Sequence, residues 1–96
     1  MADNSQIQQD LDMIEENIKV LEKQYNDYFA GVIFHEPKPL RLQTDGLVRK
    51  WWGKPVANTQ LRFKLQNIVQ RYTSYKEKWE RQTRGRIQNE KEESYE

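Results

Sequence analysis

Ninety-six residues allow one small domain with a modest core, since 35% of them are hydrophobic and 32% are charged. The lack of cysteine excludes disulfides, zinc fingers and thiol nucleophiles, and the single histidine, His35, excludes a multi-histidine metal site. No stretch approaches the roughly 18 apolar residues of a membrane span, and the N-terminus has no signal-peptide pattern, so we expect a cytoplasmic protein.

Charge is segregated along the chain, although the net charge is only +1. Residues 1–30 carry seven acidic side chains and two lysines, whereas residues 58–86 carry eight basic and two acidic side chains. Two segments of opposite charge neutralise each other when they fold side by side. A basic segment can alternatively bind a polyanion. The sequence leaves both interpretations open.

A heptad repeat runs through the first part of the chain. Its apolar side chains recur alternately four and three residues apart, which is the period of a coiled-coil helix. They are Ile7, Leu11, Ile14, Ile18, Leu21, Tyr25, Tyr28 and Val32. Gly31 is a typical C-terminal stop, and Pro37 follows it. We therefore predict a helix over about 5–30.

The segment after this helix is too long for a tight turn and predicts an element of its own. Glu36-Pro37-Lys38-Pro39 favours a stiff, extended piece, because proline restricts both itself and the residue before it. Thr44-Asp45 is typical of a helix start, and Gly53-Lys54-Pro55 is typical of a helix end. These signals predict a short helix over about 45–52.

A second heptad repeat follows the connector. Its seam consists of Leu61, Leu65, Ile68, Tyr72, Tyr75 and Trp79. Asn58 is a good N-cap residue, so the pattern predicts a helix over about 58–89. The acidic residues 90–96 have little to bury and predict a disordered tail.

Two heptad helices in one short chain most simply form a hairpin. The sequence therefore predicts an all-α fold over residues 1–89: an antiparallel two-helix coiled-coil hairpin with a short third helix in the connector. The register that brings the helix ends together pairs Tyr28 with Leu65 and Ile14 with Trp79. The predicted core consists of Ile14, Ile18, Leu21, Tyr25, Tyr28, Leu65, Ile68, Tyr72, Tyr75 and Trp79.

Two patterns on the long helices together form a recognisable motif. The first is Leu21-Glu22-Lys23-Gln24-Tyr25-Asn26-Asp27-Tyr28-Phe29; the second is Asn58-Thr59-Gln60-Leu61-Arg62-Phe63-Lys64-Leu65-Gln66, followed by Val69-Gln70-Arg71-Tyr72, Tyr75 and Trp79. The motif resembles that of an uncharacterised small helical C-terminal domain family of myxobacteria and related bacteria. The resemblance covers about residues 20–84. It implies a stand-alone helical domain and supplies no catalytic residue.

Enzymatic chemistry is not indicated by the residue pattern. His35 lies beside Glu36, but adjacency in sequence does not supply a nucleophile or the geometry of a catalytic dyad, and we interpret His35 as structural or exposed. The four glycines are isolated, so there is no phosphate-binding loop. We predict a protein that is not an enzyme and has no cofactor or metal.

A basic stripe is the strongest functional signal in the sequence. Lys64, Arg71 and Lys78 occupy successive g positions of the second long helix. In the antiparallel register they face the g positions of the first helix, which are mostly uncharged, so we expect the stripe to stay unneutralised. A second basic group lies in the connector and comprises Arg41, Arg49, Lys50 and Lys54. Such a basic face can follow phosphates electrostatically.

These features predict a non-enzymatic helical protein-interaction module whose partner is another protein. The alternative is an RNA- or DNA-binding accessory protein that uses the stripe. The candidate contact residues are Lys64, Arg71, Lys78, Arg49, Lys50 and Trp52, the last as an exposed aromatic anchor. Met13 and Val20 lie outside the heptad seam, so both a monomer and a weak homodimer are compatible with the sequence.

Overall fold

The computed structural model describes residues 4–94, and the side chains of residues 4–85. The described chain is all-helical and contains no strand. Helix α1 spans Asn4–Phe29, α2 spans Lys38–Trp51 and α3 spans Thr59–Ser94. The helix in the connector is thus longer than the predicted 45–52. The last helix extends past the predicted end at 89, and residues 95 and 96 of the predicted tail lie outside the described residues.

Local signals explain where the helices end. Gly31 has a φ of 82°, and the N–H groups of Gly31 and Val32 donate to the carbonyls of Tyr28 and Asp27. This is a Schellman motif, for which glycine is favoured because it adopts positive φ without strain. At the start of α3, the Asn58 side-chain oxygen accepts a hydrogen bond from the Leu61 N–H at 3.0 Å.

The start of α2 differs from the expectation of an extended Glu-Pro-Lys-Pro piece. Pro39 lies in the first helical turn, directly after Lys38. The first N–H groups of a helix have no partner within the helix, so proline is tolerated there, and its fixed φ favours the helix. The helix therefore begins seven residues before the predicted 45.

Helices α1 and α3 run parallel to each other. Near the start of both, Lys64 Nζ lies 2.9 Å from Asp12 Oδ1. Near the end of α1, the rings of Tyr25 and Trp79 are stacked, with centroids 4.4 Å apart and planes at 8°. From the first contact to the second, the residue number increases on both helices, as it does when two helices point in the same direction. The predicted antiparallel pairing of these helices is therefore not the observed one.

The length of α2 explains this difference. Arg41 near its start donates to the Tyr25 hydroxyl, and Lys50 near its end pairs with Asp10, so α2 runs antiparallel to α1. Its 14 residues span about 21 Å and return the chain to the start of α1 before α3 begins. The fold is an up-down-up arrangement of three helices.

The core lies along the seams of α1 and α3. Of the predicted core residues, all are buried except Tyr75, which is half-buried. Their pairing differs from the expectation, since Trp79 packs on Tyr25 and not on Ile14. The alignment of Tyr25 with Trp79 places Phe29 opposite Thr83, so α3 continues beyond the end of α1. Trp51 and Val56 are buried as well.

Candidate functional site

A polar cluster joins the three helices around Arg41. Its Nη1 atom donates to Glu36 Oε2 at 3.0 Å and to the Tyr25 hydroxyl at 3.2 Å, while Nη2 donates to Glu80 Oε1 at 2.5 Å. The Tyr25 hydroxyl in turn donates to Glu36 Oε2 at 2.7 Å. One guanidinium thereby connects α1, the loop before α2, and α3.

The cluster continues one turn along α2 at Asp45. The Tyr72 hydroxyl donates to Asp45 Oδ1 at 2.5 Å and lies 3.2 Å from the Arg41 carbonyl oxygen. Lys76 Nζ lies 3.2 Å from the same carboxylate oxygen of Asp45. Each charged group in this region has a partner of opposite charge, which is the arrangement that buried polar groups need.

The tyrosines of this cluster are held in their neutral form. Burial raises the pKa of Tyr25 to about 12, with the hydrogen bond from Arg41 opposing the rise and that to Glu36 adding to it. Burial, together with the hydrogen bond to Asp45, also raises the pKa of Tyr72. Both hydroxyls donate to carboxylates, and neither is poised as a base near neutral pH. The cluster is a structural network between helices.

This network predicts a loss of stability in alkali. An unfolded tyrosine ionises near pH 10, whereas folded Tyr25 retains its proton up to about pH 12. The stabilisation is thus complete below pH 10 and is lost as the pH rises through this window. The free energy of unfolding, measured in urea at successive pH values, should fall more steeply in the wild type than in Tyr25→Phe. Identical slopes would contradict the network. Lysine titration is common to both proteins and cancels in the comparison.

The end of α2 is attached to the start of α1 through Asp10. Its Oδ2 atom accepts hydrogen bonds from Trp51 Nε1 at 2.7 Å and from Lys50 Nζ at 2.9 Å. Burial alone would raise the pKa of Asp10, but these two donors outweigh it and leave the pKa below its usual range. Lys50, predicted as a partner contact, therefore already serves an internal ion pair.

The predicted basic stripe is partly neutralised. Lys64 pairs with Asp12 at 2.9 Å and lies 3.9 Å from Glu15, contrary to the expectation that the stripe has no internal partner. The reason is the parallel packing, which brings Lys64, near the start of α3, beside Asp12 and Glu15, near the start of α1. Arg71 and Lys78 are exposed and form no ion pair within the described part of the chain.

The α2–α3 groove is a shallow surface depression beside the loop that connects these helices. It is lined by Trp52, Gly53, Lys54, Pro55, Val56, Arg62, Leu65 and Gln66. Val56 and Leu65 are buried and form an apolar floor, while the Trp52 side chain is 57% exposed at the edge. Neither Lys54 nor Arg62 forms an ion pair among the residues that the structure describes.

Further aromatic and basic groups surround the α2–α3 groove. The Arg62 guanidinium lies 5.9 Å from the centroid of the Phe63 ring, and Phe63 is 55% exposed. Lys54 Nζ lies 5.4 Å from the centroid of the buried Trp51 ring, within the range of a cation–π contact. Arg49 is exposed on the last turn of α2. An exposed indole, cations and an apolar floor are therefore combined at this end of the molecule.

Sequence reasoning placed some of these residues and missed the role of others. Trp52 was predicted from its position beside the apolar face of the connector helix. Arg62 and Arg41 were counted only as basic residues, because their partners come from elements distant in sequence. The one local signal is the close spacing of two tryptophans and three basic residues between Arg49 and Lys54. His35 is exposed.

The described residues hold no group of three or more His, Cys, Asp or Glu side chains placed to bind a metal ion. Among the same residues, no helix has the length and apolar character needed to cross a bilayer. Comparisons of the chain with protein-family models, with curated proteins and with solved structures find no match.

Proposed function

We propose that this chain is a non-enzymatic, cytoplasmic helical interaction module that binds an acidic segment of a protein in the α2–α3 groove. The observation that carries the proposal is the exposed Trp52 indole next to Lys54 and Arg62, two cations that form no ion pair with any residue the structure describes. Membership of the helical domain family that the Asn58–Gln66 motif resembles is a further part of the proposal.

The composition of the groove supports a peptide ligand. Tryptophan and arginine are enriched among the residues that dominate binding energy at protein interfaces. The Arg62 guanidinium can hold a carboxylate with two parallel hydrogen bonds, and the floor at Val56 and Leu65 can receive an apolar side chain between acidic ones. A ligand that combines carboxylates with an apolar or aromatic residue fits these features.

Nucleic acid is less well supported as the ligand. Phosphate tracking needs several unneutralised cations in a row, and the first member of the stripe, Lys64, is paired with Asp12. Binding to RNA is therefore the competing outcome of the test.

The test uses two labelled probes, a random copolymer of glutamate and tyrosine and a polyuridylate RNA, in fluorescence anisotropy titrations. We expect the wild type to bind the copolymer. Arg62→Glu and Trp52→Ala should each weaken binding about tenfold or more, as expected of residues that contribute over 1.4 kcal/mol.

The matched control is Lys23→Glu, which makes the same change of charge as Arg62→Glu but on the exposed surface of α1. It should bind almost like the wild type. Equal weakening by Lys23→Glu and Arg62→Glu would show only a nonspecific charge effect and would contradict the proposal. The proposal would also be contradicted if the wild type bound the RNA more tightly than the copolymer, and if reversing the charges of Arg71 and Lys78 abolished that binding.

A further inference from the structure

We propose that the occupant of the α2–α3 groove is the acidic segment 90–96 of a second copy of this chain, so that molecules associate head to tail. This inference rests on the proposed function, because it uses the same groove and names its ligand. It gives a binding partner to segment 90–96, which lies beyond the apolar residues of the heptad seam.

The chemistry of segment 90–96 complements that of the groove. The segment carries four acidic residues, Glu90, Glu92, Glu93 and Glu96, and a single basic residue, Lys91. It also carries one aromatic residue, Tyr95. The groove offers Lys54 and Arg62, which have no ion-pair partner in the described part of the chain, beside an exposed indole and an apolar floor. Acidic residues next to an aromatic side chain are the combination that this surface fits.

The course of α3 determines that the segment must come from another molecule. Arg62 lies in the first turn of α3, and the same helix continues to Ser94. At 1.5 Å per residue, Glu90 is about 42 Å further along the axis than Arg62. The longest dimension of the molecule is 58 Å, so groove and segment are near opposite ends. An intramolecular contact would require the helix to break.

A contact of this kind joins two different surfaces. It is therefore heterologous and does not close through a twofold axis. Each added molecule presents a new free groove and a new free segment, so the mean mass should rise with concentration beyond that of a dimer. Because the attraction is between exposed charges, it should weaken as salt screens it.

Sedimentation velocity of the full chain at low and at physiological ionic strength tests this inference. The wild type should show a mass that increases with concentration and decreases with salt. Arg62→Glu, which changes the groove, and the double variant Glu92→Lys/Glu93→Lys, which changes the segment, should each sediment as monomers. The control Glu16→Lys/Glu77→Lys, which makes the same charge change at exposed sites elsewhere on α1 and α3, should associate like the wild type.

A mixture of the two monomeric variants gives the most specific result. The Arg62→Glu protein still has an intact segment, and the Glu92→Lys/Glu93→Lys protein still has an intact groove. Mixed together they should form a heterodimer and nothing larger, because both remaining ends are blocked. A symmetric dimer through the exposed Met13 and Val20 would instead persist in both variants and would be lost in Met13→Ser, which would overturn the inference.

A labelled peptide with the sequence of residues 90–96 separates this inference from the proposed function. Binding of this peptide to the wild type, and not to Arg62→Glu, supports both. If the copolymer of glutamate and tyrosine binds while the peptide does not and the wild type stays monomeric, the proposed function stands and the head-to-tail inference fails. If neither probe binds, both fail.

Discussion

Replacing Trp79 with alanine should lower the free energy of unfolding by about 3–5 kcal/mol. The indole is 2% exposed, and it stacks on Tyr25 at a centroid distance of 4.4 Å and on Tyr75 at 5.5 Å. Alanine removes the central ring of this stack and leaves a cavity between α1 and α3. A small domain has only about 5–15 kcal/mol of stability in total, so this loss is a large fraction of it, and the variant should unfold at a much lower urea concentration than the wild type.

Urea unfolding followed by circular dichroism measures this effect, and Trp52→Ala is the matched control. The Trp52 side chain is 57% exposed, so its removal should change the free energy of unfolding by no more than about 0.5 kcal/mol. An equal loss in both variants would mean that the stack is not the centre of the core. Unfolding of the Trp52 variant alone would show that the seam is misassigned.

Replacing Arg41 with methionine should lower the free energy of unfolding by about 2–3 kcal/mol. The guanidinium is 17% exposed and holds Glu36, which is 11% exposed, as well as Glu80 and the Tyr25 hydroxyl. Methionine retains helix propensity and apolar volume but leaves the Glu36 carboxylate without a positive charge in a half-buried place. Loss of a charged hydrogen-bond partner at such a site costs about 1.5–3 kcal/mol.

Two further variants show whether the loss comes from the unpaired charge. Glu36→Gln in the Arg41→Met background should recover part of the stability, because the amide needs no counter-charge. Arg84→Met, at an exposed position of α3, should stay within about 0.5 kcal/mol of the wild type in the same urea titration. Equal stability of Arg41→Met and Arg84→Met would show that the cluster does not hold α2 in place.

The helical elements themselves are encoded locally and could be predicted. The heptad spacing of apolar residues determines a helical stripe within each segment, and the ends depend on residues only a few positions away. Gly31 ends α1 through its positive φ, and Asn58 caps α3 through its side chain. Helix α1 begins and ends within one residue of its predicted bounds, and α3 begins within one residue of its own.

The direction of α3 could not be predicted from the same pattern. A seam of alternating a and d positions is equally apolar when it is followed in either direction, so two heptad repeats are compatible with both parallel and antiparallel packing. The length of α2 decided between them. That length depended on the position of Pro39. Pro39 lies in the first turn of α2, where the missing N–H removes no hydrogen bond of the helix.

For the candidate site too, part could be predicted from the sequence and part depended on the tertiary structure. The helical periodicity of the connector predicts an exposed Trp52, because it assigns residues to helix faces. Trp52 is 57% exposed, but it follows the end of α2 with an extended backbone and does not lie on a helix face. Only the tertiary structure decided which cations remain unpaired. Parallel packing places Lys64 against Asp12, and the return of α2 places Lys50 against Asp10, whereas Lys54 and Arg62 are left beside the exposed indole. Neutralisation depends on distances between charges on different helices, and those distances follow from helix direction and register.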